Sequence, residues 1–238
     1  MRNAGVKSSV RLSAFSVGGF FAALVAGLFA FVGFWIYHSI EAKRLSNREA
    51  HLQKEIAEWG KYQAWTLDYG KIYLALDIVS KKQLSESQKA MLSDEIWIIS
   101  RNYGFDPLLI PAIVFQESRG NPFAKGRFRS GAESGAYGLM QLEIPTAQTI
   151  GKRFGIKVDR AEDLMRPEVS VVVGSAYLMR LVGRYGDLKN AIIAYNMGQG
   201  SVDAKIRERS PIPSFYYEEV LAKYRKLQRL VGERIGER

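Results

Sequence analysis

The sequence predicts a mostly α-helical globular domain carried behind an N-terminal transmembrane helix and a polar helical stalk. Three observations predict it. From Leu12 to Ile40 no side chain is charged. From Glu41 to about Leu92 there is no proline, and the pattern is polar with a sparse apolar seam. Beyond Met91 apolar residues recur at three- and four-residue spacing, and the period-two alternation of a half-buried strand is scarce. These features divide the chain into an anchor segment over 1–44, a stalk over 45–90 and a globular domain over 91–230.

The anchor comes first. A bilayer core needs about 20 apolar residues as a helix, and the Leu12–Ile40 run exceeds that. It closes in an aromatic cluster at Phe34, Trp35 and Tyr37, the residue types that collect at a membrane interface. A cleavable signal peptide has a shorter apolar region and a small-x-small cleavage site. None follows here, so an uncleaved single-pass anchor is expected. Arg2, Lys7 and Arg11 precede the span while Lys43, Arg44 and Arg48 follow it, so flanking charge does not decide the orientation.

In the stalk, Leu45, Leu52 and Trp59 repeat at heptad spacing, which makes one apolar seam on a helix. An amphipathic helix packing on the globular domain accounts for it. Within the domain, helices are expected over Asp94–Asn102, Pro107–Ser118, Thr146–Phe154, Pro167–Tyr185 and Asp187–Tyr195, with a last one near Tyr216–Leu230. Asp187 is a good N-cap. A short hairpin is expected in the glycine-rich stretch Gly126–Gly138.

Composition removes whole classes of chemistry. The chain has no cysteine, which excludes disulfides, thiolate metal sites and cysteine nucleophiles. Its two histidines are His38 and His51, so the domain beyond them holds neither a serine–histidine–acid triad nor a histidine-ligated zinc. Chemistry there must come from carboxylates, tyrosines, lysines, hydroxyls or backbone dipoles. The formal charge of +10 points to an anionic partner or surface. Basic residues are spread along the chain without a recognised nucleic-acid motif, so nucleic acid is not expected as that partner.

The most informative segment runs from Phe105 to Pro122. Asp106 can cap a helix with Pro107 at its first position, and Gly120 with Asn121-Pro122 ends it. On that helix Val114, Ile113 and Ile110 precede Glu117 by three, four and seven residues, so the glutamate shares an apolar face in the last turn. Desolvation and the negative end of the helix dipole both disfavour its anion. A carboxylic acid held protonated near neutral pH is what protonating a glycosidic oxygen requires. Spacing alone does not make it catalytic, because a glutamate in a last helical turn is ordinarily solvated.

Four ordered blocks then change the weight of that glutamate. They are Glu117-Ser118 with Asn121-Pro122 behind it; Gly135-Ala-Tyr-Gly138-Leu139-Met140-Gln141-Leu142 followed by Thr146-Ala147; Ala194-Tyr195-Asn196-Met197-Gly198; and Tyr216-Tyr217-Glu218-Glu219-Val220-Leu221. In this order and at this spacing, the last 135 or so residues resemble the soluble lytic transglycosylase family, whose domain has the lysozyme-like (α+β) fold. The resemblance implies Glu117 as the single catalytic acid and base. It implies Ser118, Gly138, Met140, Gln141, Tyr195, Asn196 and Tyr216 as substrate-binding residues, with no metal and no cofactor. Glycines at 135 and 138 permit a close backbone approach, Gln141 can bond hydroxyl or N-acetyl groups, and Tyr195 and Tyr216 can stack on sugar or orient Glu117. Core packing is the competing account of Leu139 and Met140, and for Leu139 it is the better one.

The activity implied is cleavage of the bond between N-acetylmuramic acid and N-acetylglucosamine in peptidoglycan, with 1,6-anhydro ends. A lysozyme-type hydrolase and a non-catalytic wall-binding subunit are the alternatives. Peptidoglycan strands are the expected partner, the inner membrane holds the N-terminal helix, the catalytic domain lies in the periplasm, and envelope machinery is a further possible partner. Two departures stand out. The stretch Lys125–Glu133 is longer and more basic than the usual family loop, and Glu143 stands where the family commonly has an apolar residue. Facing the cleft, Glu143 would be a second carboxylate.

Overall fold

The computed structural model describes residues 14–128 and 130–236. Arg2, Lys7, Arg11 and Leu12, used above for the anchor, and Arg129 of the basic loop lie outside the described residues. The chain divides into two compact units, one ending at Lys61 and one running from Tyr62 to Arg238.

Helix α1 (Ala14–Ser80) begins in the first unit and ends in the second. Its early part exposes one large apolar side chain after another, among them Phe20, Phe21, Leu24, Phe29 and Trp35. By length and composition it can cross a membrane. Leu45, Leu52 and Trp59 are exposed as well.

In the second unit the end of α1 joins the core. Ile72, Ala75, Leu76 and Val79 recur at three-, four- and seven-residue spacing and are all buried. The helix does not continue to Leu92 as the proline-free pattern suggests. It stops at Ser80, and Lys81 and Lys82 take left-handed backbone (φ 47° and 73°). The reason is local: Ser85 opens α2 (Glu86–Tyr103) with a capping box, its hydroxyl accepting from the Gln88 N–H while the Gln88 side chain accepts from the Ser85 N–H. α2 therefore starts eight residues before the expected Asp94. Beside the break, Lys89 is only 3% exposed and donates to Asp77 (2.8 Å) and Glu86 (2.7 Å), while Arg234 donates to the other Asp77 oxygen (2.9 Å). One buried cation thus joins the end of α1 to the start of α2.

Helix α3 (Leu109–Glu117) starts two residues later than expected. Asp106 caps a turn instead of the helix, its side chain accepting from the Leu108 N–H (2.8 Å), and Pro107 lies in that turn. The glycine-rich stretch does form a hairpin, β1 (Lys125–Arg127) with β2 (Glu133–Tyr137), in antiparallel register Lys125 to Tyr137. A third strand not anticipated, β3 (Leu142–Glu143), pairs antiparallel with β2, Tyr137 opposite Leu142.

Then come α4 (Ile144–Gly151) with a 3-10 turn at Lys152–Phe154, the short α5 (Ala161–Leu164) and α6 (Pro167–Tyr185). α7 (Leu188–Met197), α8 (Gln199–Arg207) and α9 (Phe215–Ile235) complete the unit. Asp187 caps α7 by accepting from the Asn190 N–H at 2.8 Å, as expected. The mostly α expectation holds. α6 is the centre of the core: it packs against α2, α4 and α7 and buries Val169, Val171, Val173, Leu178 and Leu181. α3 lies against α9, and that contact creates the site.

Candidate active site

Glu117 is the last residue of α3 and is half-buried. Its Oε1 accepts the hydroxyl hydrogen of Tyr216, which stands at the start of α9. Burial pushes the Glu117 carboxyl up to about 7. The Tyr216 hydrogen bond opposes this by favouring the anion, and the charge of Glu219 reinforces it. Burial wins, so the group holds a proton in part of the population at neutral pH. Glu219 sits three residues after Tyr216 on α9 and accepts from the Gln116 amide (2.9 Å), beside Glu117 on α3. Neither Gln116 nor Glu219 was anticipated as a site residue. The i, i+3 spacing of Glu219 from Tyr216 is the signal that could have found it.

Behind Glu117 the chain turns sharply. Arg119 (φ 55°) and Gly120 (φ 76°) both take left-handed backbone. A Cβ on Gly120 would lie 2.5 Å from Ser80 Cα, so the exit of α3 runs directly against the end of α1. Ser118 is buried; its hydroxyl donates to Leu139 O (2.8 Å), lies 3.1 Å from Val114 O and accepts from the Gly120 N–H. The residue after the acid thereby ties α3 to the β2–β3 turn.

That turn is built with the same economy. Gly138 has φ +80°, and a Cβ there would be 1.9 Å from Leu164 O. The close approach that glycine permits at 138 is to α5. Met140 is fully buried, fitting against Gly174 of α6 where a Cβ would meet its sulfur at 2.6 Å. Its N–H donates to Ser170 Oγ (3.1 Å). Gln141 has a left-handed backbone (φ 47°) and its side-chain amide donates to Gly138 O (2.8 Å) and Ala124 O (3.1 Å).

Tyr195 closes the wall. Its hydroxyl donates to Met140 O at 2.8 Å, and its ring lies 5.3 Å from that of Tyr177 on α6, a neighbour the sequence reading missed. Burial, then the charge of Glu117, raises both the Tyr195 and Tyr216 hydroxyls well above the usual tyrosine range. They remain neutral donors. Glu117, Tyr195 and Tyr216 thus come together, and Ser118, Gly138, Met140 and Gln141 form the adjoining frame, their polar groups engaged by other groups of the protein. Asn196 is exposed on the last turn of α7. Glu143 is exposed on β3, and its charge is felt at Tyr177 instead of at Glu117. Among the described residues no three histidine or carboxylate side chains cluster as metal ligands.

The family model described as the transglycosylase SLT domain matches residues 96–212. A transglycosylase of Enterobacteria phage PRD1 is 35% identical over 117 residues, covering 49% of this chain and 38% of that protein. The membrane-bound lytic murein transglycosylase F of Vibrio parahaemolyticus is 36% identical over 103 residues, covering 40% of this chain and 17% of that protein. The chain thus spans well under half the length of these relatives. The 70 kDa soluble lytic transglycosylase of Escherichia coli superposes with a TM-score of 0.46 at 22% identity, covering 72% of this chain and 30% of that one. A helical domain with a small antiparallel sheet beside the acid fits the mostly α, lysozyme-like expectation, and residues 96–212 are similar to the transglycosylase SLT domain family.

Proposed function

We propose that this protein is a membrane-anchored lytic transglycosylase that cuts peptidoglycan strands between N-acetylmuramic acid and N-acetylglucosamine. The observation that carries the reading is Glu117, a half-buried carboxyl pushed up to about 7 and oriented by Tyr216. In the protonated form it donates its proton to the glycosidic oxygen as the C1–O bond breaks. The muramic acid C1 becomes oxocarbenium-like. The carboxylate left behind then takes the proton of that sugar's own C6 hydroxyl, whose oxygen bonds to C1. The product is a 1,6-anhydro end, the acid has its proton back, and no water is consumed. Intramolecular attack gains from high effective concentration.

In this reading the anchor occupies 1–44, the helical segment 45–90 links it to the catalytic domain over 91–230, and that domain works on the periplasmic side of the inner membrane. Ser118, Gly138, Met140, Gln141, Tyr195, Asn196 and Tyr216 bind substrate or frame the acid that acts on it. Hydrolysing glycosidases commonly employ two carboxylates. Here Glu219 is engaged by Gln116 and Glu143 is felt elsewhere, which favours the one-carboxylate route. The test is mass spectrometry of muropeptides released from purified sacculi. Anhydro-muramic ends are expected; reducing ends in their place would make the enzyme a hydrolase, and no release would leave it a binding protein.

A further inference from the structure

The domain has a cavity of about 220 Å³ with a mixed character. Its floor is apolar, from Ile150, Ala176 and Met179, and two half-exposed aromatic rings, Tyr103 and Phe154, flank it. Two guanidinium groups, Arg153 and Arg180, line it as well. Elsewhere in this domain Arg166 pairs with Glu168, Arg184 with Asp203 and Lys157 with Asp159. Among the described residues neither Arg153 nor Arg180 has an ion-pair partner. Two like charges lining one cavity repel each other, and a bound anion reduces that cost.

The cavity is also connected to the acid. Arg180 follows Tyr177 by three residues on α6, so the two side chains lie on one helical face and Tyr177 feels the arginine's charge. The Tyr177 ring lies 5.3 Å from Tyr195, whose charge environment includes Glu117. A path of adjoining side chains therefore leads from Glu117 to Arg180.

We propose that the Arg153–Arg180 cavity receives a carboxylate of the peptide stem carried by the muramic acid being cut. This rests on the peptidoglycan reading above. The chemistry matches in both halves. Guanidinium forks pair with carboxylates in two parallel hydrogen bonds, and the floor of Ala176, Met179 and Ile150 suits the small apolar side chains that neighbour those carboxylates along a stem. The cavity makes the enzyme a reader of peptide as well as of sugar.

The test is co-sedimentation of the full detergent-solubilised chain with intact sacculi and with sacculi stripped of stems by an amidase. The native protein is expected to bind intact sacculi on the order of tenfold more tightly than stripped ones. R153Q/R180Q is expected to lose that preference, whereas R207Q/R209Q, which removes two exposed charges from the end of α8, is expected to keep it. Thermal unfolding of both variants at the native temperature establishes that they are folded; R180Q alone, with a partial loss, serves if the double variant is not. Equal binding to the two kinds of sacculi, or an equal loss in the R207Q/R209Q control, overturns the proposal. Peptide-dependent binding without release of anhydro-muropeptides would instead sink the transglycosylase reading and leave the cavity's role standing.

Discussion

Tyr216 donates its hydroxyl hydrogen to Glu117 Oε1 across 99 residues of chain. The bond joins the start of α9 to the end of α3 and holds one oxygen of the acid. It also limits how far burial weakens the acid, because it favours the anion while burial favours the neutral form.

Replacing Tyr216 by Phe therefore has a direction in pH. Removing the donor raises the Glu117 carboxyl further above about 7, so the alkaline limb of the activity profile moves to higher pH. The maximal rate falls about 10- to 100-fold as the carboxyl loses its orientation. A pH–rate profile on sacculi checks both; a limb that stays in place would dissociate Tyr216 from the titration.

Glu117→Gln abolishes strand cleavage and stabilises the fold at alkaline pH. The folded carboxyl binds its proton up to about pH 7 whereas the unfolded one releases it near the ordinary glutamate value, so the native protein loses stability as pH rises between the two. The loss is on the order of 2–3 kcal/mol at pH 8. The amide does not ionise and escapes it. Unfolding midpoints at pH 5 and pH 8 should thus separate the two proteins more at pH 8.

Gly138→Ala and Gly135→Ala form a matched pair. Both positions have φ near +80°, but a methyl at 138 meets Leu164 O at 1.9 Å and one at 135 meets nothing within 4 Å. Alanine at 135 costs about 1–2 kcal/mol from backbone strain alone. At 138 it costs at least about 3 kcal/mol, since backbone must move as well. Denaturant melts of the two variants measure the difference.

Lys89→Met removes the buried cation between Asp77 and Glu86. Asp77 keeps Arg234, and Glu86 is exposed, so the cost is about 1–3 kcal/mol, short of that for an orphaned buried charge. Thermal unfolding is expected to fall by roughly 2–4 °C for each kcal/mol lost.

How far the sequence could be read depends on where the information sits. α6 was legible to the residue, because Pro167 marks its first turn and Gly186 its left-handed end. α7 was legible from Asp187. α8 was not: it has no side-chain cap, and Gly198, which ends α7, is also the residue from which α8 starts. The break at Lys81–Lys82 was hidden by a pattern helical on both sides, with only Ser85 and Gln88 to signal a restart. In the site, Glu117 could be singled out by its apolar face and its block. What Met140 and Gln141 do locally could not, because Met140 meets Gly174 and Tyr195 through contacts across 34 and 55 residues. Motifs identify which residues matter, and long-range packing decides which atoms face outwards.

The contact between Gly120 and Ser80 carries a practical instruction for anyone preparing this protein in water. The obvious cut, just ahead of the first sequence block, would strip away the backbone against which α3 makes its exit turn. It would also expose the faces that Ile72, Leu76 and Val79 cover. A trimmed soluble version should keep everything from Tyr62 onwards, so that only the membrane-crossing portion is discarded and the acid's footing stays intact.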